Sequence, residues 1–277
     1  TTDYDDNTGL VAGPSESMWG GELALHRDLG ERTTGFISLS KGYKAGGFNL
    51  GPAVPDAFRE FDAEALWNLE VGIKGDFADG RLQLNASLFA SRHNDQQVRT
   101  SFQLDPGDPT SFGFVTINVE RGDTLGAEAE LRWLPAKRWN LYASLGLLDT
   151  EFSKISAESL ETLEGRSQAH APDYTIGAGA AYTHPRGFFA RVDVSARDAF
   201  YFDVSHDEQS RSYGLVNARV GYGAGRWSAT FWGRNLADQN YAVRGFYFGN
   251  EPPNFPNELY VRRGDPRQLG LTFDWSF

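Results

Sequence analysis

Residues Arg267–Phe277 read RQLGLTFDWSF, and polarity alternates almost without exception along this stretch, from Gln268 onward. One parity is apolar and the other is polar or glycine. The apolar set is Leu269, Leu271, Phe273, Trp275 and Phe277, and the other set is Gln268, Gly270, Thr272, Asp274 and Ser276. Because successive side chains of a strand point to opposite faces, this stretch predicts a β-strand with one apolar and one polar face.

The same alternation recurs about ten times upstream. In residues 82–88, for example, leucine and alanine at even positions alternate with glutamine, asparagine and serine at odd ones. The eleven predicted strands are residues 18–28, 34–44, 64–77, 82–101, 114–134, 139–152, 173–183, 188–202, 212–222, 226–236 and 267–277. A long series of such strands is typical of a transmembrane β-barrel with a lipid-facing apolar surface and a polar lumen.

The connections between these strands fall into two alternating classes. Short turns are expected near residues 29–32, 78–81, 135–138, 184–187 and 223–226, and long connections near 45–63, 102–113, 153–171, 203–211 and 237–266. Short periplasmic turns and long extracellular loops characterise outer-membrane barrels. A soluble β-sandwich, the alternative all-β fold, has no reason to separate its loops by length in this way.

Composition agrees with a barrel and excludes several other classes. The 277 residues are 40% hydrophobic, with a mean hydropathy of -0.46, and they include no apolar run long enough for a transmembrane helix. A barrel strand escapes that requirement because only every second residue faces lipid. The chain has no cysteine, which excludes disulfides and thiol catalysis, and its net charge of -11 argues against a nucleic-acid partner.

The strand count of eleven predicts an incomplete barrel. Bacterial barrels have an even number of strands, and an odd antiparallel series would bring its first and last strands together in parallel. We therefore expect residues 1–277 to be the C-terminal part of a larger barrel. Residues 1–17 would then be the remnant of an extracellular loop, residues 18–277 the strands with their turns and loops, and the carboxy-terminus periplasmic.

Five segments, in order and spacing, resemble TonB-dependent outer-membrane receptors. They are Ser40–Asn49 (SKGYKAGGFN), Trp67–Phe77 (WNLEVGIKGDF) followed by Asn85–Phe89, Leu125–Glu130 (LGAEAE), Asn235–Tyr241 (NLADQNY) and Gly264–Arg267 (GDPR). Each segment alone is weakly specific, whereas the ordered set across residues 18–277 is specific.

The resemblance implies a fold and a function. Barrels of this family have 22 strands closed by an N-terminal plug, so eleven strands would be the C-terminal half. The family imports scarce ligands such as siderophore-bound iron, haem, cobalamin or glycans with energy from TonB. The expected partners are outer-membrane lipid, a small-molecule ligand at the extracellular loops, and the TonB complex through a plug. Neither the plug nor a TonB box is present in these residues.

The long loops supply the candidate ligand contacts. Aromatic rings and guanidinium groups together suit an anionic aromatic ligand, through stacking and charge. The main candidates are Tyr241, Arg244, Phe246, Tyr247, Phe248, Phe255, Tyr260, Arg262 and Arg263, and a second cluster is Tyr43, Lys44 and Phe48. The alternative interpretation of the main set is an aromatic girdle at the outer leaflet together with loop packing.

No pattern in the sequence predicts catalysis, a metal site or a cofactor. His206-Asp207-Glu208 is the one short run of metal-ligand residue types that stands out, and adjacent residues on a loop are usually solvated surface. The sequence has no G-x-S-x-G nucleophile motif. The inward-facing charges are better explained by a polar lumen: Glu70, Lys74, Glu128, Glu130, Arg132, Arg191, Asp193, Arg197, Arg219 and Arg234.

Two other functions remain open alongside the transport receptor. One is a self-contained barrel of about twelve strands, either an autotransporter translocator or an outer-membrane hydrolase. It would need a pore-spanning N-terminal helix or a catalytic Ser/His pair, and neither is visible in the sequence. The other is a passive porin, which the five-segment resemblance disfavours.

Overall fold

The computed structural model describes residues 4–5, 11–12, 17–50, 54–103, 108, 112–154, 163–204, 206–249, 251–256 and 258–277. Most of residues 1–17, which the sequence assigns to a loop, therefore lie outside the described residues. The described residues include a 3-10 turn at Asp56–Phe58. None of the described helical residues forms a helix long and apolar enough to cross a membrane.

Eleven strands form one antiparallel sheet. They are β3 (Gly21–Gly30), β4 (Thr33–Lys44), β7 (Glu64–Phe77), β8 (Leu82–Gln103), β9 (Phe112–Trp133), β10 (Trp139–Lys154), β11 (Tyr174–Thr183), β12 (Phe188–Arg197), β13 (Tyr213–Ala224), β14 (Trp227–Arg234) and β17 (Gln268–Trp275). Each pairs with the next strand of this series. The predicted fold class, an all-β antiparallel barrel sheet of eleven strands, is confirmed.

The sheet is open. Its order runs from β17 at one edge to β3 at the other, and among the described residues these two edge strands do not pair with each other. All ten residues of β3 are exposed. The structure is therefore part of a barrel wall.

Three two-stranded ribbons lie in the connections. They are β1 (Tyr4–Asp5) with β2 (Val11–Ala12), β5 (Gly47–Phe48) with β6 (Glu60–Phe61), and β15 (Ala242–Phe248) with β16 (Glu258–Arg263). The sequence prediction treated the corresponding regions as loops. The β15–β16 hairpin is the largest of the three and stands between β14 and β17, at the end of the sheet that carries the long connections.

The short turns occur where the sequence places them. In the turn at Ala78-Asp79-Gly80 all three residues have positive φ, from 51° to 78°. Left-handed backbone of this kind is easiest for glycine and tolerated by aspartate, which explains the Asp-Gly pair. Because the strands are antiparallel and sequential, all short turns lie at one end of the sheet and all long connections at the other.

Strand facing follows the alternation. Leu88 is 59% and Leu271 is 74% exposed, and both lie on the outward, apolar face. On β7, Trp67 and Phe77 lie on that face, ten residues apart. At about 3.3 Å per residue and a tilt of about 40°, they are separated by about 25 Å across the membrane, which is the height of the apolar band in outer-membrane barrels. This apolar outward surface is called the belt below.

Aromatic rings form a girdle at the short-turn end of the belt. Contacts with centroid distances of 4.7 to 6.5 Å join neighbouring rings across six strands. The rings in order are Trp139, Tyr182, His184, Phe188, Tyr222, Trp227, Phe273 and Trp275. Amphipathic rings concentrate at membrane interfaces, so this girdle marks one boundary of the belt.

The buried apolar core lies beyond the other boundary. Strands β8 and β9 have 22 residues each, roughly twice what is needed to cross a membrane, so their hairpin continues past the belt. On this extension a core, called the ledge below, is formed by Val54, Val98, Val115, Ile117, Val119, Phe152, Leu163 and Val204. Asn49, which follows β5, is hydrogen-bonded to strand β9 beside this core. Its Nδ2 donates to the Thr116 carbonyl, and its Oδ1 accepts from the Thr116 amide.

One predicted strand end is wrong. The sequence extends the strand that begins at residue 188 to residue 202, whereas β12 ends at Arg197. The alternating Phe200, Phe202 and Val204 are buried rather than lipid-facing. The alternation there reflects packing against loops, and the Phe200 amide donates a hydrogen bond to a loop residue, Ser210 Oγ.

Candidate functional site

The β15–β16 hairpin brings five of the predicted ligand residues onto one face. Residues alternate in facing along each strand, and the register pairs Arg244 with Arg262 and Phe246 with Tyr260. Phe248 shares their face. The rings of Phe246 and Tyr260 are stacked, with centroids 5.9 Å apart. Phe246 and Phe248 are nearly half exposed, so this face, called the paddle face below, is open to a ligand.

Two arginines oppose each other on the paddle face. Arg244 and Arg262 are cross-strand partners, and both are exposed. Among the described residues neither guanidinium lies within ion-pair distance of a carboxylate. Like charges directly opposite each other destabilise a strand pair, and a bound anion would relieve that repulsion. Burial, and then the nearby charge of Arg244, lower the pKa of His170, so this imidazole adds no positive charge of its own near neutral pH.

The opposite face of the hairpin is fastened to the 200–210 loop. Tyr247 stacks on His206 with ring centroids 3.7 Å apart and 13° between planes. Gly245 is buried under the ring of Phe202, and a Cβ at this position would come within 2.4 Å of that ring. Burial, followed by a hydrogen bond with Glu208, raises the pKa of the Tyr247 phenol. Tyr247 is thus a packing residue rather than a member of the open face.

Arg166 stabilises the 200–210 loop through hydrogen bonds from its guanidinium group. Its side chain is 8% exposed, and its Nη1 donates to Asp207 Oδ1 at 2.8 Å and to the His206 carbonyl at 3.0 Å. Its Nη2 donates to the Asp203 carbonyl at 2.8 Å. A buried charge is tolerated only when it is paired and hydrogen-bonded, so this arrangement fixes the loop. The sequence has no pattern around Arg166 that indicates the role.

The His206-Asp207-Glu208 run is explained by the same contacts. His206 stacks on Tyr247 and its Nδ1 contacts Asp203 at 3.0 Å, Asp207 pairs with Arg166, and Glu208 bonds Tyr247. In the described part of the chain no group of histidine, cysteine and acidic residues has an arrangement that could hold a metal ion. Residues 206–208 therefore link the β15–β16 hairpin to Asp203 and Arg166.

A buried asparagine closes the neck of the long loop that carries the hairpin. Asn235 is 3% exposed, and its Nδ2 donates to the carbonyls of Gln239 at 2.9 Å and Asp265 at 3.0 Å. Its Oδ1 accepts from the Gln239 amide at 2.8 Å. Arg267 contributes a second tie, because its amide donates to Asp238 Oδ1. The NLADQNY and GDPR segments therefore join the two ends of one loop.

We expect Asn235→Ala to loosen this neck by about 2 kcal/mol, because three backbone groups lose the partner that the buried Asn235 side chain supplies and alanine must adopt the φ of 45°. Hydrogen exchange of the whole receptor should then show faster exchange in residues 242–263 and unchanged exchange in β13 and β14. Asn240→Ala, an exposed residue of the same loop, is the control. Equal protection of the hairpin in both variants would contradict the assigned role.

The remaining predicted residues lie elsewhere. Tyr241 is at the neck, with its ring 4.5 Å from that of Tyr213. Arg263 opposes Ala242 at the base of the hairpin, and Phe255 lies in its tip at a φ of 45°. The second predicted cluster, Tyr43, Lys44 and Phe48, is on β4 and β5, and seven strands, β13 to β7, separate β4 from β14. The sheet does not bring the two clusters together, and Tyr43 shares the outward face of β4.

Comparison with known proteins identifies the class. The family model "TonB dependent receptor-like, beta-barrel" matches residues 21–236. The chain belongs to this family, whose members are transport receptors forming barrels in the outer membrane of Gram-negative bacteria.

Individual relatives agree with that assignment. The chain is 24% identical over 234 residues to the pesticin receptor of Yersinia pestis, covering 83% of this chain and 33% of that protein. It is 24% identical over 207 residues to the probable TonB-dependent siderophore receptor PiuA of Acinetobacter baumannii, covering 67% of this chain and 24% of that protein. The crystal structure of the ferric yersiniabactin uptake receptor FyuA from Yersinia pestis superposes with a TM-score of 0.73 at 21% identity, covering 92% of this chain and 37% of that one. The chain thus spans about a third or less of the length of these relatives.

Proposed function

We propose that these residues form the C-terminal barrel wall and part of the ligand-receiving surface of a receptor that actively imports a scarce ligand across the outer membrane. In this proposal an N-terminal plug occupies the lumen and couples to TonB. Family membership and the open edges of the sheet support it, since an open sheet needs further strands to close. The same two observations disfavour a self-contained barrel of about twelve strands.

The proposed orientation places the long connections outside the cell and the carboxy-terminus in the periplasm. The separation of short turns from long connections supports this, because outer-membrane barrels keep their turns short on the periplasmic side. The ledge and the hairpin would then form a folded extracellular layer above the belt. The paddle face stands in that layer, where a ligand from the medium arrives first.

The proposed ligand is an anionic chelate with aromatic or conjugated groups, and a ferric siderophore is the first candidate. The observation that supports this class of ligand is the cross-strand pair Arg244 and Arg262, which lies beside the stacked rings of Phe246 and Tyr260. Guanidinium groups recognise carboxylates and phenolates through paired hydrogen bonds, and they also stack on flat rings. The names of the relatives, siderophore receptor and ferric yersiniabactin uptake receptor, support iron chelates over haem, cobalamin or a glycan.

The test is ligand binding by the complete receptor. Purified receptor is titrated with ferric catecholate, phenolate and carboxylate chelates, and quenching of its intrinsic fluorescence is followed. We expect at least one chelate to bind, and binding to weaken about tenfold or more in Arg244→Ala/Arg262→Ala, since hydrogen bonds to charged groups are worth about 1.5–3 kcal/mol each. Growth under iron limitation on that chelate should fall in parallel.

Two controls make the result specific. Arg186→Ala removes the same charge at a short turn, at the opposite end of the sheet. Val261→Ala alters the hairpin face that carries Tyr247 rather than the paddle face. Both variants should bind as the parent does. If no chelate binds, or if all variants bind equally well, the proposed ligand surface is wrong.

A further inference from the structure

A pocket lies in the polar face of the sheet, across β12, β13, β14 and β17. Its volume is about 700 Å³. Small-molecule sites usually have volumes of about 300–1,000 Å³. The charged and aromatic side chains in its lining are Arg191, Asp193, Arg219, Trp232, Arg234 and Asp274. It is called the lumen pocket below, because the polar face of such a sheet lines the inside of the closed barrel.

Trp232 is held in a fixed position in this pocket. Its Nε1 donates to Thr272 Oγ1 on the neighbouring strand β17 at 3.1 Å. Its ring also covers Gly270, its cross-strand partner, where an added Cβ would clash with the indole. The indole therefore lies across β17, and it is half-buried rather than covered, so part of it is accessible from the lumen.

Two arginines flank Trp232. Arg219 is its cross-strand partner on β13, and Arg234 lies two residues further along β14 on the same face. The Arg234 guanidinium is 5.3 Å from the centroid of the indole. Both arginines are exposed. Among the described residues neither guanidinium has a carboxylate within ion-pair distance.

The two carboxylates of the lumen pocket leave these charges uncompensated. Asp193 is engaged by Arg191, whose Nε and Nη2 donate to it at 2.9 Å and 2.7 Å. Asp274 lies six residues along β17 from the cross-strand partner of Arg234, a separation of about 20 Å. The pocket thus contains three guanidinium groups and two carboxylates, and its end nearer the long connections is positive.

That positive end adjoins the loop that carries the β15–β16 hairpin. Arg234 is the last residue of β14, and it is followed by Asn235 of the loop neck. Asn217 also lines the lumen pocket, and its Oδ1 accepts from the Asn235 amide at 2.9 Å. The paddle face and the lumen pocket are therefore connected through one strand and one loop neck.

We propose that the lumen pocket is a second site for the anionic chelate, occupied after the ligand leaves the paddle face; the identity of the ligand rests on the proposed function. A flat ring of the chelate lies against Trp232, and its negative charge lies between Arg219 and Arg234. Guanidinium groups pair with carboxylates and phenolates and stack on flat rings. The pocket therefore repeats the combination of arginines and aromatic rings found on the paddle face.

An acidic segment of the plug is the other occupant to be considered. A plug carboxylate would use only the two arginines, whereas an aromatic anion uses the arginines and the indole together. This difference favours the chelate. If the arginines instead hold the plug, their loss opens the lumen, and the test below includes that outcome.

The experiment measures binding of fluorosalicylate to the complete receptor by fluorine NMR. Salicylate carries a carboxylate and a phenol on one flat ring, and fluorosalicylamide is its uncharged counterpart. The starting protein carries Arg244→Ala/Arg262→Ala, which removes the paddle-face charges. We expect it to bind fluorosalicylate more tightly than fluorosalicylamide. Adding Arg219→Gln/Arg234→Gln should weaken fluorosalicylate binding about tenfold, since hydrogen bonds to charged groups are lost.

The matched control adds Lys74→Gln/Arg132→Gln to the same starting protein. It removes two positive charges from the polar face of β7 and β9, outside the lumen pocket. This control should bind fluorosalicylate as the starting protein does. Equal binding by the Arg219→Gln/Arg234→Gln variant would overturn the site, as would equal binding of fluorosalicylamide by the starting protein. Because the paddle-face arginines are absent throughout, this result is independent of the chelate titration.

Two measurements in cells distinguish a ligand site from a plug contact. Arg219→Gln/Arg234→Gln in the otherwise unchanged receptor should leave cells resistant to vancomycin, which is too large to enter through a plugged barrel. Sensitivity would show that the arginines hold the plug, and would overturn the proposal. Uptake of the ferric phenolate chelate should fall severalfold in maximal rate at an unchanged half-saturation concentration. An unchanged maximal rate would contradict a place for the pocket on the import path.

Discussion

Phe152→Ala is expected to unfold the ledge while the belt stays intact. Phe152 is 1% exposed and lies in one core with Val115 and Val119. Removing a buried phenylalanine side chain costs about 3–5 kcal/mol, because transfer energy is lost and a cavity remains. Its backbone also holds the 163–166 segment, through bonds from its amide to the Arg166 carbonyl at 3.0 Å and from the Gly165 amide to its carbonyl at 2.8 Å.

The measurement is hydrogen exchange of the whole receptor, resolved by segment. Exchange should accelerate in residues 96–103, 112–120 and 163–166, and should stay slow in the belt part of β8 and β9. Phe114→Ala is the matched control, since it removes the same side chain from the same hairpin at a position that is 64% exposed. It should behave nearly as the parent. Uniform acceleration through the belt in Phe152→Ala would show that ledge and belt form one cooperative unit.

Leu88→Arg is expected to impair assembly of the barrel, whereas Ser87→Arg is not. Leu88 pairs with Val71 and Ala127 near the middle of the belt. Arginine on the lipid face at the bilayer midplane costs about 2–4 kcal/mol. Ser87 faces the lumen beside Glu70, Glu128 and Glu130, where a new guanidinium finds carboxylates and space.

The two variants are compared by their yield of heat-modifiable receptor in isolated outer membranes. Leu88→Arg should give a markedly lower yield, and its folded fraction should melt at lower temperature. Ser87→Arg should match the parent in both. Because the two substitutions introduce the same residue at adjacent positions, they form a matched pair that differs in strand facing. Similar yields for both variants would contradict the assigned facing of β8, and a lower yield of Ser87→Arg than of Leu88→Arg would mean that the facing is reversed.

The belt strands were predictable from sequence because lipid and lumen impose opposite demands on alternate residues. Strand β7 is the clearest instance, since the predicted and observed bounds are both 64–77. The short turns were predictable for a related reason. A connection of about four residues between antiparallel strands forms a tight turn. Segments such as Ala78-Asp79-Gly80 contain residues suited to left-handed backbone.

The layer beyond the long-connection end of the belt was not predictable, because alternation of polarity there reflects packing between protein segments rather than contact with lipid. Phe200 and Phe202 continue the pattern of β12 and so were assigned to it, although both side chains are buried rather than facing lipid. The β15–β16 hairpin was missed for the opposite reason. Its aromatic residues occur on both parities, as in Phe246, Tyr247 and Phe248, so no face stands out in the sequence.

The sequence proposes residues for the candidate site but not their arrangement. The aromatic and arginine residues of the loop were proposed because those residue types suit an anionic aromatic ligand. The sequence could not show that Arg244 and Arg262 are neighbours, since their pairing depends on the hairpin register. Nor could it show that Arg166, nearly eighty residues upstream of Arg244, holds the supporting loop.

The ledge has a consequence for how this protein responds to its surroundings. The belt is apolar outside and polar inside, whereas the ledge is apolar inside, so one chain is folded against two different solvents. Urea in the medium weakens burial from water and acts first on the ledge. A change in membrane thickness acts first on the belt. We therefore expect denaturant and lipid composition to act on different parts of one chain, the first on the ledge and the second on the belt.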